Sequence, residues 1–178
     1  MKAVTRKTKE TEIRVEAAIG AGKATVATTV PFLDHMLTAF ATYAGLDLNV
    51  TASGDLRHHL VEDVAITVGE AVRGLIPATC RRYGERTVPM DDALVQVVLD
   101  AGGRPYYRGP LPNALYDHWM RSFADNARIT LHVRALRGQD RHHVVEAAFK
   151  ALGFALRDAL ADGGTVFSTK GTVVLRTE

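Results

Sequence analysis

The sequence predicts an α+β fold built from two tandem, similar ββαβα units, residues 1–85 and 86–178, each a sheet packed against helices. The strongest sign is self-similarity. Asp34-His35-Met36 returns as Asp117-His118-Trp119, Phe40-Ala41 as Phe123-Ala124, and Leu48-x-Val50 as Leu131-x-Val133, each 83 positions later. After one inserted residue, His58-His59, Val61-Glu62, Gly69 and Arg73 return as His142-His143, Val145-Glu146, Gly153 and Arg157, 84 positions later. The second sign is size and composition: 178 residues, 47% hydrophobic and 24% charged, suit one ordinary domain or two small units sharing a core.

Taken in order, "EIRVEAAIGAGKATVAT" and its counterpart "ALVQVVLDAGGRPYYRG" read as a strand, a glycine-containing turn and a second strand. "FLDHMLTAFATYAG" follows with Leu33, Met36, Leu37, Phe40 and Tyr43 at helical spacing, and "LYDHWMRSFADNA" matches it. "LDLNVTA" and "ITLHVRAL" alternate as strands. The long helices are expected to start at the two His pairs and end near Leu75 and Ala161. "RRYGERTVPMDD" reads as the link between the halves, broken at Gly84 and Pro89, and "STKGTVVLRTE" as a polar tail.

The net charge of +2 and pI near 8.8 are too mild to imply nucleic acid but suit a small anionic substrate. Cys80 is the single cysteine, so no internal disulfide can form and a reducing compartment is expected. The N-terminus has no hydrophobic signal core, and no apolar run approaches membrane-spanning length. A cytoplasmic protein with no membrane partner is the expectation.

Six of the seven histidines lie in two His-His-x-x-Glu phrases and two Asp-His motifs. On a helix, His58 and His59 both come within about 5–6 Å of Glu62 at Cβ, as His142 and His143 do with Glu146. Adjacent histidines point about 100° apart, so each phrase is expected to serve two sites. Imidazole with carboxylate suits Zn, Mn, Fe or Ni. Chance gives one such phrase in about one of a hundred chains of this composition. Duplication supplies the second copy without explaining why it stays intact while its surroundings diverge. His132 lies on a strand outside the pattern and reads as structural. Arg82, Arg104, Lys150, Ser168 and Lys170 suggest a phosphate, with "STKG" combining a hydroxyl, a cation and a flexible glycine.

"TKET", "PFLDHML", the "GDL", "HH" and "VED" elements, "RYG", "GRPY", "HHVVEAAFKAL" and "STKG" occur in this order along almost the whole chain. On these motifs the sequence resembles the imidazoleglycerol-phosphate dehydratases. The resemblance implies two similar α+β halves of the ribosomal S5 domain 2-like kind and a large symmetric homo-oligomer, a 24-mer in the family. It also implies active sites formed between subunits, each with two Mn2+. Carried over, the metal ligands are His35, His58, His59, Glu62, His118, His142, His143 and Glu146. The substrate contacts are Glu10, Arg82, Arg104, Lys150, Ser168 and Lys170, the last five mainly around the phosphate. Glu10 is the assigned general acid/base. The chain departs from the family pattern in lacking an acidic insertion before His58, where only Arg57 stands, and in Leu60, Thr38 and Tyr43.

The implied reaction dehydrates imidazole glycerol phosphate to imidazole acetol phosphate in histidine biosynthesis. The proton removed is not beside a carbonyl, so the imidazole ring must relay electrons. Two Mn2+ flanking an imidazolate would let it expel the C3 hydroxyl through a diazafulvene-like intermediate, which a doubled ligand phrase explains. A dinuclear metallohydrolase of a phosphorylated metabolite would use the same ligands to activate water. A family member that keeps metal without activity is a further reading. An RNA-binding module requires a basic face with exposed aromatics, against the small net charge and 7% aromatic content.

Overall fold

A computed structural model of the chain describes residues 1–166. The first half comprises β1 (Lys2–Lys7), β2 (Thr11–Ile19), β3 (Ala24–Ala27), α1 (Pro31–Ala44), β4 (Leu46–Gly54) and α2 (Arg57–Arg73). The second repeats the order with β5 (Tyr83–Met90), β6 (Ala93–Asp100), β7 (Tyr106–Arg108), α3 (Ala114–Ala127), β8 (Thr130–Arg137) and α4 (Arg141–Leu160). The two sheets run β1-β2-β4-β3 and β5-β6-β8-β7. In each, the third strand pairs parallel with the fourth and the other pairings are antiparallel.

Two similar α+β units are thus present, each with one strand more than expected. β1 is an edge strand whose "KAVTRK" sequence alternates only weakly. The stretch expected as a broken linker is mostly the edge strand β5, which begins just ahead of the division expected after position 85. Pro89 is tolerated because an edge strand has one side without a ladder partner. Gly84 is required rather than disruptive: a Cβ there would lie 1.9 Å from the Ala155 carbonyl oxygen of α4.

Alternation decides the sheet faces. Ile13, Val15 and Ala17 of β2 point inward with Leu46, Leu48 and Val50 of β4, and Val95, Val97 and Leu99 of β6 join Leu131 and Val133 of β8. The four helices fill the space between the sheets. α2 lies on β1 and β2, α4 on β5 and β6, while across the seam α2 packs on α3 and α1 on α4. Phe40 of the first half meets Phe123 at 5.7 Å and Trp119 at 6.4 Å, so aromatic burial joins the halves into one core.

The cross-seam pairs approach closely at equivalent glycines. A Cβ on Gly69 would lie 2.8 Å from the Phe123 carbonyl oxygen, and one on Gly153 2.7 Å from that of Phe40. Alanine would add up to about 1 kcal/mol of helix propensity. Overpacking against backbone that cannot swing away costs about 1–3 kcal/mol and should win. Gly69→Ala and Gly153→Ala should therefore each lower the melting temperature. An unchanged or raised value for either would show slack in that crossing.

Candidate metal centre

Both short helices are entered in the same way. Asp34 Oδ1 accepts from Thr28 N and Oγ1 at 2.9 and 2.5 Å, tying the β3–α1 loop to α1. Asp117 Oδ1 accepts from Leu111 N at 2.8 Å and Tyr107 Oη at 2.5 Å before α3. Burial and this bond to Asp117 push the Tyr107 phenol up, so it remains a donor. Each Asp of an Asp-His motif therefore braces a loop, and the following histidine faces the seam.

There it meets the long helix of the other half. His35 Nε2 lies 3.3 Å and His142 Nε2 3.2 Å from Glu146 Oε2. In the matching cluster His118 Nε2 lies 3.2 Å from Glu62 Oε1, and His58 Nε2 3.7 Å from Glu62 Oε2. The His58 and His118 rings stack at 5.3 Å. Phe32 packs beside both helix ends, 5.0 Å from His142 and 4.9 Å from Tyr116, two residues before His118. These residues sit within the first two turns of their helices, so four helix N-termini converge. Burial works to raise the pKa of Glu146, but hydrogen bonds from Lys150 and His35 outweigh it and hold it below its usual value.

Both clusters fit a divalent ion. The ligand atoms of each trio lie within 4.8 Å of one another. An ion about 2.1 Å from each of two ligands would leave them about 3–3.5 Å apart, so little movement is needed. His118 Nε2 carries the clearest mark: it is shielded from solvent and has no hydrogen-bond partner, because the nearby Glu62 oxygen is not aligned for one.

His59 and His143, the other members of the pairs, turn away from these trios. His59 Nδ1 lies 3.1 Å from Asp55 Oδ1 and 3.6 Å from Glu10 Oε2, forming a third compact group. His143 Nδ1 lies 2.7 Å from Asp92 Oδ1, with Asp91 3.4 Å from its Nε2. The bond to Asp55 raises the pKa of His59, and that to Asp92 raises His143. Hydrogen bonds from Gln139 N–H, then His143, hold the Asp92 carboxyl down at about 2. Asp55 had a sequence signal, standing one helical turn before His59. Asp92 had none, because a hairpin brings it to His143 from 51 residues away.

The expected phosphate contacts divide. Lys150 Nζ sits beside the first trio, 2.9 Å from Glu146 Oε1. Arg82 and Arg104 lie at the opposite end of the chain's fold. Arg82 N donates to Ala159 O at the C-terminus of α4, and the Arg104 carbonyl accepts from Thr130 Oγ1. Arg82 lines a pocket with Cys80, Arg81, Tyr83, Gly163 and Thr165. Ser168 and Lys170 fall outside the described residues. Among the departures, Leu60 is a core residue, Thr38 bonds back to Asp34 O, and Tyr43 packs on Phe154 at 4.7 Å. His132 stands on an exposed face beside Tyr106.

The profile of the imidazoleglycerol-phosphate dehydratase family matches residues 28–156. An imidazoleglycerol-phosphate dehydratase of Pyrococcus furiosus is 46% identical, covering 94% of this chain and 99% of the relative. One from Acetivibrio thermocellus is also 46% identical over 94% of this chain and 96% of its own length. A crystal structure of the Pyrococcus furiosus enzyme superposes with a TM-score of 0.85 at 44% identity, covering 96% of this chain and all of that one (100%). The Staphylococcus aureus enzyme gives 0.81 at 34% identity, over 90% and 98%. Fold and site thus define a duplicated α+β enzyme of the hydro-lyase class. The chain belongs to the imidazoleglycerol-phosphate dehydratase family.

Arg82 grips Asp100 through two bonds of 2.6 and 2.9 Å. Burial pushes the Asp100 carboxyl up, but the bonds from Arg82 and Gly102 N–H prevail and hold it low. A depressed carboxyl stabilises the fold above its unfolded pKa, about 3.9, and loses that contribution as pH falls through the lower folded value. The melting-temperature gap between wild type and Asp100→Asn should therefore narrow on acidification from about pH 6 to pH 3. A gap of constant size would remove the ion pair as its source.

Proposed function

We propose that this chain dehydrates imidazole glycerol phosphate to imidazole acetol phosphate in histidine biosynthesis, working in the cytoplasm with two Mn2+ per active site. The observation that carries the reading is the pair of matching imidazole–carboxylate trios, His35–His142–Glu146 and His58–Glu62–His118, at converging helix N-termini. Bound Mn2+ would supply Lewis acidity on the two sides of the substrate imidazole. The trios would hold the ions, and His59 and His143, which turn away from the trios of their own chain, would complete the sites of neighbouring subunits.

Glu10 is the acid/base for the side-chain protons. It stands on the turn between β1 and β2, which Thr8 Oγ1 closes by accepting from Glu10 N at 3.1 Å and Thr11 N at 3.0 Å. Thr11 Oγ1 donates in turn to Asp63, beside Glu62 on α2. The backbone carrying Glu10 is therefore tied to the helix that carries His58, His59 and Glu62.

Substrate binding supports an oligomer. The 20 residues of α4 span about 30 Å, with His142 at one end and Arg82 and Arg104 near the other. A small phosphorylated molecule cannot reach both within one chain. Arg82 and Arg104, with Ser168 and Lys170, take the phosphate of a substrate whose imidazole lies at a neighbouring subunit's metals, and the 24-mer suits that need.

Dehydration of imidazole glycerol phosphate should vanish on chelation and return with Mn2+. Protein never exposed to chelator should carry at least about one ion per subunit. Phosphate or amide release that does not require an imidazole would favour the hydrolase instead.

The halves can be tested separately. His58→Ala and His142→Ala should each abolish turnover, and a His58→Ala enzyme with near-normal kcat would reduce the His58–Glu62–His118 trio to a structural feature. Lys170→Ala should mainly raise KM, by roughly 10–100-fold, as loss of a charged hydrogen bond worth about 1.5–3 kcal/mol would.

A further inference from the structure

The carboxylate of Asp92 divides its work between its two oxygens. Oδ2 accepts from Gln139 N at 2.6 Å and Asp140 N at 3.1 Å, joining the β5–β6 turn to the loop that opens α4. Oδ1 faces His143 Nδ1 at 2.7 Å. A carboxylate oxygen can only accept, so this contact puts a proton on Nδ1 and leaves the lone pair of the neutral ring on Nε2. The helix start below is fixed as well, because Asp140 caps α4 by accepting from His142 N at 2.7 Å. Ring and carboxylate are thus held on two tethered pieces of backbone.

We propose that Asp92 is a positioning residue for metal ligation by His143, acting by holding the ring in the tautomer and orientation that present Nε2 to the ion. The inference rests on the metal reading above. Outer-shell partners of this kind commonly set ligand basicity and ring direction. The rival explanation is that Asp92 only braces the turn.

The arrangement of the two oxygens separates these explanations. In Asp92→Asn the single amide oxygen must take the two backbone N–H donors to keep the turn. The amide NH2 then faces Nδ1, forcing that nitrogen to accept and moving the ring proton to Nε2, where it blocks ligation. The first half supplies a contrast. Asp55 Oδ1 accepts from both Leu56 N at 2.6 Å and His59 Nδ1 at 3.1 Å, so Asp55→Asn can keep both bonds with its one oxygen.

The test uses the full-length protein stripped with chelator and titrated with Mn2+, with free Mn2+ followed by electron paramagnetic resonance. Asp92→Asn should weaken Mn2+ binding by roughly 10–100-fold and Asp55→Asn by much less. Metal-free Asp92→Asn should melt like wild type, and adding Asp92→Asn to His143→Ala should cause no further loss. Wild-type affinity in Asp92→Asn would overturn the proposal. So would an equal loss from Asp55→Asn, an undiminished loss in the His143→Ala background, or a collapsed melting temperature of the metal-free Asn protein. A wild type that takes up no Mn2+ would instead bring down the metal reading itself, and this inference with it.

Discussion

At Gly69 and Gly153 the long helices come against the backbone of the short helices of the opposite half, with no room for a methyl group. The rest of the site depends on that closeness. Helices carrying larger residues at the contact would stand farther apart, and His118 could not lie 3.2 Å from Glu62 or His35 3.3 Å from Glu146. The sheets supply the platform, and the aromatic contacts of Phe40 with Trp119 and Phe123 fill the seam. The glycines set the depth at which the four helix N-termini meet. A helix interior usually loses stability to glycine, so its presence at two equivalent positions shows how tightly the approach constrains the sequence.

Much of this was legible in the sequence because it depends on short-range periodicity. The repeat, both short helices, the inner strands and the division of each His pair between two directions follow from residues a few positions apart. What escaped depends on tertiary placement. β5 looked like a linker because Gly84 and Pro89 ordinarily interrupt strands. Its edge position excuses the proline, and the passage of α4 demands the glycine. Nothing local to His35 reveals that its partners are His142 and Glu146 from the other half. Nor does anything near His143 point to Asp92, which a hairpin supplies.

Electrostatically, the molecule is organised end to end. The end with converging helix N-termini gathers imidazoles and carboxylates, and the C-terminus of α4 brings Arg82 against Asp100. Lys150 is the exception among the expected phosphate cations, held between Glu146 and the Tyr43 ring. It is the one described cation of that set placed beside the imidazole–carboxylate trios.

The partnership of His118 with Glu62 and of His35 with Glu146 has the form of an isologous contact, in which i meets j while j meets i, though both copies occupy one chain. Neither repeat owns a trio. Divergence of one copy would therefore damage both centres rather than leave a spare behind, and the usual freedom of a duplicated segment to drift is withdrawn. The two His-His-x-x-Glu phrases are interdependent halves of a single inheritance, which is why both persist among surroundings that have changed.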